Sequence, residues 1–178
     1  MSATTPEQSA CDDPRPPFWV RFLCPRTDRR FFLRLAAVAA VAYVFFGHVC
    51  IPAVARGESM VPTYRNGAYL LCWCPSYWFG KPQRGDVVMV RLAGRRVMFL
   101  KRVVALTGQT VAFRDGVLHV DGEALEEPYV QTPCNWNLGQ RDVPPGHVYV
   151  VGDNRGMPME QHHFGKAAVR RVVGRALW

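Results

Sequence analysis

Ser59 stands in Arg56-Gly57-Glu58-Ser59-Met60-Val61-Pro62-Thr63, directly after a long apolar segment and directly before a proline-set turn. A serine in such surroundings is ordinarily a cap or turn residue. A second stretch gives it a chemical reading as a nucleophile. Val97-Met98-Phe99-Leu100-Lys101-Arg102-Val103-Val104 is a nearly unbroken run of strand-forming residues, the pattern of a strand buried on both faces, with Lys101 in its middle. The chain is rich in arginine and its lysines are Lys81, Lys101 and Lys166, so a cation needed only for pairing would more often be an arginine. Lysine, unlike arginine, can lose its proton. Its ordinary pKa of about 10.4 leaves about one molecule in a few thousand neutral at pH 7, and burial can bring it down to roughly 5 to 6. A serine hydroxyl beside a neutral amine is a nucleophile beside its general base.

Such a pair must be held by elements the rest of the chain supplies. Residues 35–54 are rich in Ala and Val, contain Tyr43, Phe45 and Phe46, carry no Asp, Glu, Lys or Arg, and are long enough to cross a bilayer as a helix. Arg15, Arg21, Arg26, Arg29, Arg30 and Arg34 precede them, the pattern of a cytoplasmic flank, which puts the remainder of the chain outside. The division expected is a basic N-terminal segment over 1–34, disordered in its first residues, a transmembrane helix over 35–55 and an extracytoplasmic β-rich domain over 56–178. Ala53-Val54-Ala55 admits a rival reading, a cleavable secretory signal ending in an A-x-A site. A nucleophile only a few residues beyond the apolar run argues for retention, because release would carry Ser59 away from the membrane surface.

Beyond the anchor the pattern is β. Residues 68–73, 87–92, 97–104, 110–114, 117–120, 147–151 and 169–177 read as strands, with Asp115-Gly116 and Asp121-Gly122 as turns and 126–145 as an irregular connection. Trp73, Tyr77, Trp78 and Phe79 suit either the core or a lipid surface. The net charge of +8 comes without zinc-finger spacing or an RNA-recognition motif, so a membrane surface is a better partner than nucleic acid. Cys72 and Cys74 lie on one face of a strand; one of them pairing with Cys134 and a zinc site on Cys-x-Cys both remain open.

Gly57-Glu58-Ser59-Met60-Val61-Pro62-Thr63, Arg84-Gly85-Asp86-Val87-Val88, the run from Leu100 to Gly108, and Gly152-Asp153-Asn154-Arg155 together resemble the ordered boxes of the type I signal peptidases. The resemblance extends from the apolar segment to Trp178. It implies a mainly β, partly open barrel-like catalytic domain behind one N-terminal transmembrane helix, and a bacterial inner-membrane serine endopeptidase, single-pass and active on the periplasmic side. It implies the removal of signal peptides from exported precursors by a Ser59/Lys101 dyad, with no cofactor or metal. It further implies a substrate approach and oxyanion site at Gly57, Ser59 and Met60, and site supports at Asp153 and Arg155. The last box departs from the family pattern. Pro158 stands where relatives carry a serine that bonds the lysine, and Glu160 and His162 stand where they carry an Asp and Arg pair. Glu160 and His162 are carried there as candidate site supports, able to form a salt bridge when the histidine is charged.

Three other readings stay open. A Ser-His-Asp triad would recruit Asp153 with His162 or His163. A membrane-anchored binding or assembly module would have lost catalysis. A dedicated processing peptidase of the same fold would serve one client, such as a pilin precursor.

Overall fold

The computed structural model describes residues 28–93 and 97–177, apart from the side chains of residues 92, 93 and 97. The expectations for Arg15, Arg21 and Arg26 and for disorder at the N-terminus fall outside the described residues. The chain divides into two compact units, residues 1–42 and 43–178.

The helix α1, Arg29–Val44, buries none of its side chains. A single π-turn, Phe45–Val49, extends it, and Arg29–Val49 is long and apolar enough to cross a membrane. Helix and apolar run do not coincide: Cys50–Val54 is a strand, β1, where the sequence reads as the end of the span. Pro52 explains the break, since it has no N–H to continue a helical ladder, and β-branched Ile51 and Val54 favour extended backbone. Pro52 is tolerated because β1 is an edge strand. Ala53 and Val54 pair with Leu70 and Tyr69, and the Ala55 N–H donates to the Ala68 carbonyl at 2.8 Å, so the A-x-A tripeptide is locked into a ladder.

The remaining strands are β2 (Tyr69–Trp73), β3 (Val87–Ala93), β4 (Val97–Ala105), β5 (Thr110–Arg114), β6 (Val117–Val120), β7 (Glu123–Ala124), β8 (Leu138–Asp142), β9 (His147–Val151), β10 (Gly165–Ala168) and β11 (Val172–Leu177). They form a seven-stranded sheet in the order β1-β2-β11-β3-β4-β9-β10 and a four-stranded sheet in the order β7-β6-β5-β8. Every pairing is antiparallel, and neither sheet closes into a barrel among the described residues. The β5–β6 hairpin turns at Asp115-Gly116, both at positive φ (47° and 81°), as a two-residue connection requires.

Several elements differ from the sequence reading. Strand β8 lies inside the stretch read as irregular; it is an exposed edge strand, so Leu138-Gly139-Gln140-Arg141-Asp142 carries no apolar alternation and is held by pairing to β5. The expected strand over 169–177 begins only at Val172, as β11, because Val169–Arg171 is a 3₁₀ turn, and β10 precedes that turn in a stretch not read as a strand. The aromatic group divides, Trp73 and Tyr77 half-buried, Trp78 and Phe79 exposed. Cys50, Cys72, Cys74 and Cys134 are free thiols; Cys72 and Cys74 pack with β1, β3 and β11 whereas Cys134 packs against the four-stranded sheet, so the pairing with Cys134 does not form.

Three apolar clusters give this frame its rigidity. One, around Phe113, Leu118, Trp136, Tyr149 and Val151, joins the two sheets; another, around Met60, Tyr64, Leu70 and Met89, lies under β1 and β2; the third fills the space between β3, β4, β9 and β10. Met60, the neighbour of Ser59, is 3% exposed and belongs to the second cluster.

Candidate active site

Ser59 sits half-buried in a turn that begins where β1 ends. Gly57 opens it at φ 90°, and the Gly57 N–H donates to Asn66 Oδ1 at 3.1 Å. The Val61 N–H returns to the Glu58 carbonyl and the Tyr64 N–H to the Met60 carbonyl, closing the turn, while the buried Met60 pins it to the core. A serine on so tight a turn is held by backbone rather than by its own hydroxyl.

The loop after β9 clamps this turn from the other side. The Asn154 N–H donates to the Ser59 carbonyl at 3.1 Å, and Asn154 Nδ2 donates to the Glu58 carbonyl at 3.0 Å. Gly152 makes the approach possible: any Cβ there would collide with the Ser59 carbonyl oxygen and lie 2.6 Å from His162 Cε1. Lys101 joins by register. Arg102 is opposite Val151 in the β4–β9 ladder, so the next antiparallel position sets Lys101 across from Gly152. Ser59 and Lys101 thus border the same glycine, although 42 positions separate them in the sequence.

Lys101 is 2% exposed and shares its face of the sheet with Val88, Val90 and Val103. The flanking strand is less enclosed than expected, since Met98, Phe99 and Leu100 are half-buried while Val103, Val104 and Ala105 are fully covered. Burial pushes the Lys101 pKa from its ordinary 10.5 down to about 8, against the opposing pull of the Asp153 carboxylate. At pH 7 about a tenth of the molecules would then hold a neutral amine, some hundreds of times more than for a free lysine.

Asp153 is not a partner of histidine. Its carboxylate accepts two hydrogen bonds from Arg102, at 2.9 and 2.7 Å, and one from Thr63 Oγ1 at 2.5 Å. Arg102 also stacks on Tyr129 at 3.9 Å and donates to the Gly85 carbonyl. The alternation of β4 therefore sends Lys101 to one face and Arg102 to the other, and Asp153 ties the second face to the end of the Ser59 turn. Arg155, also buried, donates to the Gly152 carbonyl at 2.9 Å and forms a two-point ion pair with Glu127 at 2.9 and 2.5 Å. Sequence reasoning missed Arg102, Thr63, Asn154 and Glu127. Of these Arg102 had a signal, its place beside Lys101 in an apolar strand.

Glu160 and His162 form no salt bridge. Glu160 is exposed, while His162 is buried against Trp136 and Phe164, and its pKa is pushed down to about 4 by burial first and then by the charges of Lys101 and Arg155. A neutral buried imidazole cannot hold a carboxylate that stays in water. The triad reading fails on the same geometry, because Asp153 is engaged by Arg102 and Thr63, and His163 is an exposed ring stacked on Phe99 at 5.1 Å. Of the candidate residues, Gly57, Ser59, Met60, Lys101, Asp153, Arg155 and His162 converge and Glu160 stands apart.

A cavity of about 550 Å³ opens beside Ser59, lined by β1 from Ile51 to Val54, by Met98, Phe99 and Leu100 of β4, and by Leu70 and Met89. Its walls are apolar, and β1 leaves one edge unpaired within its sheet. A cleft of about 770 Å³ between residues 133–137 and 155–160 contains neither Ser59 nor Lys101.

A family model described as signal peptidase, peptidase S26, matches residues 29–178. The chain is 36% identical over 154 residues to the probable signal peptidase I-1 of Synechocystis sp., covering 82% of this chain and 78% of that one. It is 29% identical over 160 residues to the signal peptidase I of Bacillus caldolyticus, covering 82% and 85%. To the chloroplastic thylakoidal processing peptidase 1 of Arabidopsis thaliana it is 30% identical over 149 residues, covering 78% of this chain and 44% of the relative. A crystal structure of a signal peptidase I from Enterococcus faecalis V583 is 28% identical, with a TM-score of 0.45, and covers 54% of this chain and 97% of that one. The chain belongs to the signal peptidase S26 family, and it is a serine endopeptidase.

Proposed function

We propose that this protein removes N-terminal signal peptides from exported precursors, anchored in the membrane by the helix Arg29–Val49, with Ser59 as nucleophile and Lys101 as general base. The observation that carries the reading is a buried lysine, its pKa lowered, bordering the same glycine as the serine turn. Relatives named signal peptidase I support the substrate class.

In this reading neutral Lys101 takes the Ser59 hydroxyl proton as the oxygen attacks the scissile carbonyl. The developing oxyanion meets the Ser59 N–H, and Lys101 then protonates the departing amine. Water, deprotonated by the same amine, hydrolyses the acyl-enzyme. Asp153 and Arg155 keep the β4 and β9 ends aligned without touching substrate. The precursor binds extended along the free edge of β1, with main-chain hydrogen bonds giving affinity. Its small side chains one and three residues before the cut enter the apolar groove. Exposed Trp78 and Phe79 face lipid, and the catalytic domain lies on the periplasmic side of a bacterial inner membrane.

The test is cleavage of a precursor bearing an A-x-A site by the full-length protein in detergent. Wild type is expected to release the mature protein, and Ser59→Ala and Lys101→Arg are expected to be inactive. Turnover by Lys101→Arg at a near-wild-type rate would refute the dyad, because an arginine stays charged.

A further inference from the structure

His162 is 4% exposed, and both its ring nitrogens lack a hydrogen-bond partner among the described residues. Such a ring is costly in a core unless something uses it. Its position is defined: Trp136 meets it edge-on at 4.9 Å and 67°, and Phe164 lies at 6.2 Å. The Cε1–Nε2 edge points at Gly152, where a Cβ would lie 2.6 and 2.8 Å from those two atoms. Gly152 is also the residue that the Ser59 carbonyl meets and that register sets across from Lys101.

The charged groups acting on the ring are Lys101 from β4 and Arg155 from the loop after β9, with His163 next to it in the chain. Arg155 is already paired with Glu127. Lys101 enters no ion pair and no side-chain hydrogen bond among the described residues. A buried lysine and a buried imidazole, the ring facing otherwise only the Asn154 backbone, therefore border one glycine. The rest of the last box, Gly156 to Gln161, offers no hydroxyl to take either role.

We propose that His162 is the positioning residue of the general base: its neutral imidazole accepts a hydrogen bond from Lys101 Nζ and holds the amine toward Ser59. The inference rests on the reading of Lys101 as general base. Neutral imidazole has one acceptor nitrogen, which can be bonded by the amine both before and after it takes the serine proton. An imidazolium has no acceptor and would repel the charged lysine. The positive charges of Lys101 and Arg155 and the burial of the ring all oppose that form, so His162 stays neutral across the pH range in which Lys101 deprotonates.

The experiment compares His162→Phe, which fills the aromatic slot without an acceptor, with His162→Gln, which restores an acceptor at similar reach. Both are measured as full-length protein in detergent against the A-x-A precursor, with thermal unfolding as the check on folding. The expected result is a folded His162→Phe whose kcat falls about 10²-fold with KM unchanged, the size of loss seen when a reacting group is misplaced by about 1 Å. His162→Gln should recover at least about tenfold of that loss while keeping the rising limb of the pH profile that Lys101 sets. A folded His162→Phe with wild-type kcat, or a folded His162→Gln as impaired as His162→Phe, would overturn the proposal while Ser59→Ala and Lys101→Arg remain inactive. Activity in Lys101→Arg would instead remove the general base, and the positioning role with it.

Discussion

Replacing Lys101 by Met should make this protein more stable and catalytically dead. Lys101 is 2% exposed, and its pKa falls from 10.5 to about 8 because burial penalises the ammonium. A depression of that size corresponds to about 3 kcal/mol of cost on the charged form. Below pH 8 the folded protein carries that cost in full. Between pH 8 and 10.5 the unfolded chain still binds the proton that the folded chain has released, so wild-type stability rises with pH over this window. Met has a similar length and no charge, so Lys101→Met is expected to gain up to about 3 kcal/mol at pH 7, with the gain shrinking as pH approaches 10.5. Urea unfolding followed by tryptophan fluorescence at pH 7 and pH 9.5 measures both points, with unchanged m-values guarding the comparison. A Lys101→Met protein less stable than wild type at pH 7, or a stability difference independent of pH, would refute the claim that this amine is held against its charge. Precursor cleavage by the same variant should be undetectable.

Two further perturbations probe the frame around Ser59 and Lys101. Gly152→Ala puts a methyl group into the Ser59 carbonyl and the His162 ring; overpacking of this kind costs about 1 to 3 kcal/mol, and a variant that kept both its unfolding midpoint and its turnover would show that the two sides of the site do not meet at Gly152. Asp153→Asn leaves Arg102 partly buried without its carboxylate, for which a loss of about 3 kcal/mol is expected. The pull of Asp153 that raises the Lys101 pKa disappears as well, so whatever activity survives should have the rising limb of its pH profile shifted to lower pH; an upward shift would contradict the charge assignment.

The residues of the proposed chemistry stand out in the sequence because each carries a local signature. Ser59 stands between an apolar run and a proline turn, and Lys101 is the wrong cation for an apolar strand unless its proton is meant to leave. The hairpins were legible for a similar reason: Asp115-Gly116 specifies its turn, and β3 and β4 alternate or stay apolar as buried strands must. Strand β8 was not, since an exposed edge strand has no face to bury and leaves no pattern.

Tertiary structure decided what depends on register and burial, which no local window encodes. The span ended earlier than its hydropathy suggested because Cys50–Val54 found a partner in β2, whose main-chain hydrogen bonds compete with a helix that Pro52 already weakens. Only the β4–β9 register set Lys101 across from Gly152, and only the burial of His162 kept neutral a ring that, if charged, could have paired with Glu160. Residue type determined which groups could ionise here; the water excluded when the two sheets packed determined which of them do.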